Sequence, residues 1–345
     1  MSKPFAIGGV SVAAGEQKTV LIPLSRLADH TDMTLKALVI HGKKPGPTMF
    51  VSAAIHGDEI IGVEIIRRLS HQKILSKIKG TLILIPVVNS YGFLGMSRYL
   101  PDRRDLNRVF PGVQNGSPAS QLAYIFMQEI VSKCDVGLDL HSGAIHRENL
   151  PQIRANLSDP VVQDMAVAFG ASVMLNSNLR DGSLREAAQS VGCNMLLYEA
   201  GEALRFDETA IRIGVKGILG VMRHIGMLPK LKPKKNPLVP VQPASSHWLR
   251  APMSGLMRAG YSLGDAVKKG AVIASVSGPL GDVEENVIAK YSGVIIGRTN
   301  LPIVNRGDAL FHVARVDDLD DAETTIENRT EHAENDPLFD GIEIV

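Results

Sequence analysis

The order of apolar and polar positions divides the chain into two regimes. After an alternating, Gly-interrupted start, LKALVIHG (35–42) and PTMFVSAAIHG (47–57) read as apolar strands separated by the turn KKPG. The next segment, DEIIGVEIIRRLSHQKIL, has apolar residues at 60, 61, 63, 65, 66 and 69, the stripe of a largely buried helix with acidic residues at its positive end. TLILIPVVN (81–89) is a continuous apolar strand; a loop rich in Gly, Arg and Asp follows, and a helix from about Ser117 to Ser132 leads into the strand DVGLDLHSG (135–143). The alternation continues as helix 158–169, strand 171–176, helix 184–192, strand 194–201 and helix 207–226. Such a succession predicts an α/β fold with a mostly parallel or mixed central sheet and helices on both faces.

From Pro229 to Pro243 the chain carries five prolines and four lysines, a composition that cannot hold a helix and reads as a linker or an extended crossover. Short strands and turns follow. APMSGLM (251–257) and AKYSGVI (289–295) share the frame Ala-x-x-Ser-Gly-apolar-apolar, and LGDAV (263–267) resembles RGDAL (306–310), which indicates a duplicated β-hairpin unit. This small C-terminal all-β region resembles the barrel-sandwich of biotinyl/lipoyl-like domains. Their carrier lysine has no counterpart in the corresponding turn, SGPLGD (277–282), so a swinging-arm role is not expected. The predicted plan is a first domain over 1–228, a linker over 229–246, a β domain over 247–316 and an acidic tail over 317–345.

The net charge of +1 over 345 residues conceals an asymmetry. Residues 317–345 hold eleven acidic side chains and one basic, which leaves 36 basic against 25 acidic in the rest: a basic body with an acidic tail, expected to be mobile or loosely docked against it. A hydrophobic content of 45% supplies a full core and excludes general disorder. With no apolar run suited to a signal peptide or a membrane span, the expected location is the cytoplasm and no membrane partner is expected. The basic residues do not interleave with aromatics, which make up 5% of the chain, so nucleic acid is not an expected partner. Cys134 and Cys193 lie in apolar surroundings and read as buried thiols rather than nucleophiles.

Candidate chemistry gathers where predicted strands end. His56 and Glu59 stand at the passage from a buried strand to a helix, and His141 at the end of DVGLDL; two His and one Glu form a donor set that leaves a position open for water on a catalytic zinc. Asp139, two residues before His141, shares its face of the strand and is placed to orient a ligand histidine. His146 reads as a second-sphere or substrate contact, while the remaining histidines have no partner at metal spacing.

In order and spacing, HGDE (56–59), SRYLPDRRDLNRVFPG (97–112), DLHSG (139–143) and YEAG (198–201) resemble the succinylglutamate desuccinylase and aspartoacylase family, relatives of zinc carboxypeptidases. The resemblance implies one Zn²⁺ per chain on His56, Glu59 and His141, and Glu199 as general base and acid. It implies Arg98 as the residue that polarises the scissile carbonyl, with Arg104 or Arg103 as a rival, and Asn107 and Arg108 as the carboxylate-binding pair. Arg147 or Arg154 would hold a second acidic group of the substrate. The implied activity is zinc-dependent hydrolysis of an amide or acyl bond on a small anionic substrate such as an N-acyl amino acid. Carboxypeptidase action on short peptides, and a non-catalytic zinc-binding or regulatory module, stay open as alternatives, as does assembly into a homo-oligomer.

Overall fold

The computed structural model describes residues 2–26, 29–232 and 238–336. The N-terminal part runs through β1 (Phe5–Ile7), β2 (Val10–Val12), β3 (Gln17–Arg26), β4 (Asp32–His41), β5 (Lys44–Ala53), α1 (Ile61–Ser70), β6 (Lys79–Ile85), α2 (Ser90–Leu94), α3 (Pro118–Glu129), β7 (Val136–Gly143), β8 (Arg147–Ala155), α4 (Pro160–Phe169), β9 (Val173–Asn176), α5 (Leu184–Ser190), β10 (Asn194–Glu202) and α6 (Glu208–His224). The C-terminal part adds β11 (Ser245–Arg250), β12 (Gly255–Ala259), β13 (Ala266–Val267), β14 (Val272–Ser277), β15 (Glu284–Ile288), β16 (Gly293–Thr299), β17 (Ile303–Val304), β18 (Ala309–Arg315) and α7 (Leu319–Glu334).

At the centre β10, β7, β5 and β6 run parallel, so their carboxyl ends open on one side of the sheet. β4 and β3 continue antiparallel beyond β6, and β8 lies antiparallel to β10. Two apolar layers cover the faces. Ile61, Ile65 and Leu69 of α1 pack with α4 and α6 on one face. Leu122 and Phe126 of α3 pack with Leu184 of α5 and Ile7 and Val12 of the β1–β2 hairpin on the other. Each fully buried Leu, Ile or Phe contributes about 1.5–3 kcal/mol of transfer free energy, so these layers dominate the stability of the body.

The helix expected to begin at Asp58 starts instead at Ile61, because Asp58 and Glu59 belong to the turn that leaves β5. A strand was not expected at 147–155, yet RENLPQIRA forms β8. Its register against β10 shifts between Asn149↔Gly201 and Gln152↔Glu199, and Pro151, which has no N–H to donate, falls in that irregularity. Cys134 and Cys193 are buried free thiols; burial pushes Cys193 up to about 12, away from thiolate chemistry.

The two half-motifs of the C-terminal region exchange strands: β12 pairs with β17, and β16 with β13. Equivalent hydroxyls serve equivalent turns, Ser254 Oγ accepting from Arg306 N at 2.9 Å and Ser292 Oγ from Lys269 N at 3.0 Å. Residues 233–237 of the expected linker lie outside the described residues. Through Gly297↔Asn149, β16 joins β8, so β11, β18 and β16 extend the central sheet to twelve strands in all.

The acidic segment, expected to be mobile or loosely docked against the basic body, forms the helix α7 over its described residues. Asp318 caps α7 by accepting from Asp321 N at 3.0 Å, with acidic residues in the first turn where the helix dipole favours them. Ala322, Ile326 and Ala333 are buried, and the Arg329 guanidinium donates to the carbonyls of Gly170 and Leu238. Lys216 pairs with Asp336 at 2.5 Å, so basic residues of the body do meet this segment. The part of the expected tail beyond residue 336 lies outside the described residues. Among the described residues, no helix is long and apolar enough to cross a membrane.

Candidate active site

The site is assembled at the carboxyl ends of the parallel strands. β5 delivers the turn with His56 and Glu59, β7 carries His141 two residues before its end, and β10 carries Glu199 three residues before its end, with His141 as its Cα partner across the sheet. Strand alternation sends Tyr198 to the apolar layer, where its hydroxyl donates to Ala210 O at 2.7 Å, and leaves Glu199 on the cavity side.

His56, Glu59 and His141 are all buried. The Nδ1 atoms of both histidines meet the Glu59 carboxylate at 2.7 Å, one on each oxygen. The outer nitrogens are held as well: His141 Nε2 by Asp139 at 2.7 Å and His56 Nε2 by Asp105 at 3.1 Å. Asp139 is itself fixed by Ser52 Oγ at 2.8 Å. Potential ligand atoms of the three residues lie within 4.8 Å of one another. Two imidazoles and a carboxylate converging on one point, with carboxylates orienting both outer ring nitrogens, is a donor set that fits a zinc ion.

The electrostatics follow from this crowding. Burial alone would raise the Glu59 carboxyl, but His56 and His141 outweigh it and hold it well below the usual carboxylate range. Burial opposes charging of His141, yet Asp139 and Glu59 together raise its pKa well above that of a free imidazole. Burial would likewise raise Asp105, and His56 and Arg98 bring it below the ordinary range. Asp58, next to the ligands, is raised by its own burial and then by Glu59, and its Oδ1 has no partner among the described residues.

Arg98 reaches this group, with Nη1 3.1 Å from Glu59 and Nη2 2.9 Å from Asp105. Its expected rival Arg104 is not brought to the cavity: the side chain is 57% exposed and faces Asp102 at 3.9 Å, because the loop turns outward between Arg98 and Asp105. Arg103 sits at a positive φ of 62° in that turn and does not line the cavity either. Asn107 is buried, accepts from Leu184 N at 2.9 Å and lines the cavity beside Arg108. Glu199 receives Arg154 and Asn149, each at 2.9 Å. Arg147 stands at the exposed rim, while the His146 ring lies away from the cavity, 3.9 Å from Glu202.

The cavity encloses about 230 Å³. Six arginines line it, Arg98, Arg108, Arg147, Arg154, Arg180 and Arg185, against Glu59, Asp139 and Glu199. All three carboxylates are already paired, so the surplus charge is positive and suits an anion. Burial lowers the pKa of Arg185, with neighbouring Arg154 adding to the effect, which marks a place where guanidinium groups are gathered against their mutual repulsion. Asp105, Asn149, Arg180, Arg185 and Trp248 were not singled out from the sequence; Asp105 alone had a local signal, since it stands inside the Arg-Asp-Leu-Asn-Arg run.

The family model described as the succinylglutamate desuccinylase/aspartoacylase catalytic domain matches residues 45–225. A curated relative, the N-alpha-acetyl-L-2,4-diaminobutyric acid deacetylase of Halomonas elongata, is 28% identical over 283 residues, covering 79% of this chain and 83% of its own. Among solved structures, a succinylglutamate desuccinylase from Silicibacter sp. TM1040 superposes with a TM-score of 0.76 at 27% identity, over 88% of this chain and 95% of that one. The product-bound ectoine utilization protein EutE (DoeB) from Ruegeria pomeroyi superposes with a TM-score of 0.78 at 23% identity, over 87% and 95%, a likeness of fold.

Proposed function

Because the chain belongs to the succinylglutamate desuccinylase/aspartoacylase family, we propose that it is a zinc-dependent deacylase that hydrolyses the amide bond of a small N-acyl amino acid. The observation that carries this reading is the convergence of His56, Glu59 and His141 with Glu199 on the adjoining strand. When bound there, zinc supplies Lewis acidity toward the scissile carbonyl and acidifies a water molecule. Asp139 and Asp105 keep the two imidazoles oriented with Nδ1 inward. Arg98 adds a fixed positive charge beside the three ligands, where an oxyanion would develop. Glu199, steadied by Asn149 and Arg154, takes the proton of the attacking water and delivers it to the leaving amine.

Arg108 and Asn107 suit the substrate carboxylate, and Arg154, Arg180 and Arg185 provide charge for a second acidic group. The cavity, which Trp248 from the C-terminal region helps to line, is small and suits such a molecule better than a peptide chain. The test is turnover of a panel of N-acyl amino acids and short peptides by zinc-loaded protein. Glu199→Gln should retain zinc and lose about 10²–10⁴-fold in kcat. Unchanged kcat in that variant, or turnover of peptides alone, would overturn the assignment.

A further inference from the structure

The turn between β7 and β8 is built around one strained residue. His146 stands at φ 63°, in the left-handed region that a non-glycine residue keeps only where its surroundings impose it. Both of its main-chain groups are held from other strands. Its N–H donates to Glu202 Oε1 at 2.8 Å, at the end of β10. Its carbonyl accepts from Asn300 N at 2.8 Å and from Thr299 Oγ1 at 3.3 Å, where β16 ends. Asn300 Nδ2 in turn donates to Glu202 Oε2 at 2.9 Å, which closes a clasp between β10, the turn and the C-terminal region.

The residue that follows is Arg147. Its N–H donates to Ala144 O at 2.9 Å, and its carbonyl packs so close to the strand of His141 that a Cβ on Gly143 would come within 2.2 Å of it. The side chain lines the cavity, its guanidinium 5.4 Å from the ring centroid of Trp248, the single tryptophan of the chain. Arg98, Arg108, Arg154 and Arg185 each donate to a protein oxygen. The Arg147 guanidinium has no such acceptor among the described residues. A cation held against a ring face keeps its N–H groups available to an anion.

We propose that Glu202 and Asn300 are positioning residues: by locking His146 they hold Arg147 at the cavity rim as a cation that binds the anionic substrate. The substrate role rests on the deacylase reading above, and the positioning rests on the clasp itself. The strain at His146 is over-determined by two other strands, and what it fixes is the direction of the next side chain. Asn300 lies outside the family-matched segment 45–225, so the C-terminal region takes part in setting this rim.

Quenching of Trp248 emission by iodide, relative to neutral acrylamide, reports the cation beside the indole without any turnover. The iodide-to-acrylamide ratio should fall by about twofold in Arg147→Ala, and to a similar extent in Glu202→Ala and in Asn300→Ala, which cuts the clasp from its other side. With zinc-loaded protein and a panel of N-acyl amino acids, Arg147→Ala should raise KM by about tenfold, the loss falling on KM rather than on kcat. Glu202→Ala should raise KM by about fivefold in the wild-type background and by less than about twofold in the Arg147→Ala background, since it acts through that residue. Unchanged quenching ratios in folded Glu202→Ala and Asn300→Ala would overturn the positioning. An unchanged KM in Arg147→Ala, or KM effects that multiply in the double variant, would overturn the substrate role. Wild-type protein that hydrolyses no member of the panel would overturn the deacylase reading instead, with the quenching still deciding whether the clasp holds Arg147.

Discussion

His312 ties the stability of the protein to pH in a way that can be calculated. Its ring is 6% exposed, and burial, with Arg154 and then His247 nearby, lowers its pKa to about 3. In the unfolded chain the same imidazole titrates near about 6.5. Between those values the unfolded state binds a proton that the folded state refuses, so stability is full above the unfolded value and is lost as pH falls through the window. Integrating over that difference, a drop from pH 8 to pH 5 removes about 2 kcal/mol through this residue alone. The control is His312→Phe, which keeps a ring against Trp248 and removes a buried Nδ1 that has no partner among the described residues. At pH 8 the variant should be as stable as wild type or more so, because no hydrogen bond from Nδ1 is lost. Urea unfolding at pH 8, 7, 6 and 5 gives the comparison, wild type losing about 2 kcal/mol more than the variant across the series. Parallel pH dependences would refute the argument, since they would mean that His312 charges in the folded protein without penalty.

Two further outcomes follow from other parts of the molecule. Asp139→Ala leaves His141 Nε2 without its 2.7 Å acceptor and should weaken zinc binding by about 10–100-fold in a chelator-competition titration, whereas an affinity within twofold of wild type would remove Asp139 from the orienting role. Gly137→Ala places a methyl 2.2 Å from Met195 Sδ and 2.4 Å from the Phe50 ring, between the two strands that flank β7. It should cost about 1–3 kcal/mol or more in denaturant unfolding with zinc stoichiometry intact, and a wild-type midpoint would show that this part of the core yields more readily than its packing implies.

The parts that could be read from the sequence are those whose signal is local. The parallel strands show as apolar runs, and His56, Glu59, His141 and Glu199 stand at the ends of those runs, where a sheet presents its ligands. β8 was hidden because Pro151 and its mixed polar content resemble a loop, and because its strand character comes from pairing with β10 on one side and β16 on the other. Trp248 and Asn149 are neighbours of the site only through lateral strand order, to which spacing along the chain gives no access. α7 was obscured by its charge: three small or aliphatic residues, Ala322, Ile326 and Ala333, anchor it, too few to stand out among the acidic ones. Arg104 fails for the converse reason, since a motif match fixes a residue type and position but not the direction in which a loop turns.

The union of β8 with β16 also sets a timetable for the chain as it is made. Asn149 and the strand that carries it are synthesised long before Gly297, the residue they pair with. Until residues 293–299 leave the ribosome, this end of β8 lacks its β16 partner and has an open row of N–H and C=O groups. The support of Glu199 is thus completed by one of the last strands to appear, across a loop of high sequence separation that is slow to close. A ribosome-bound fragment ending at the proline-rich segment would already contain every proposed zinc ligand and the proposed base, yet still lack the edge that holds the base's partner in place.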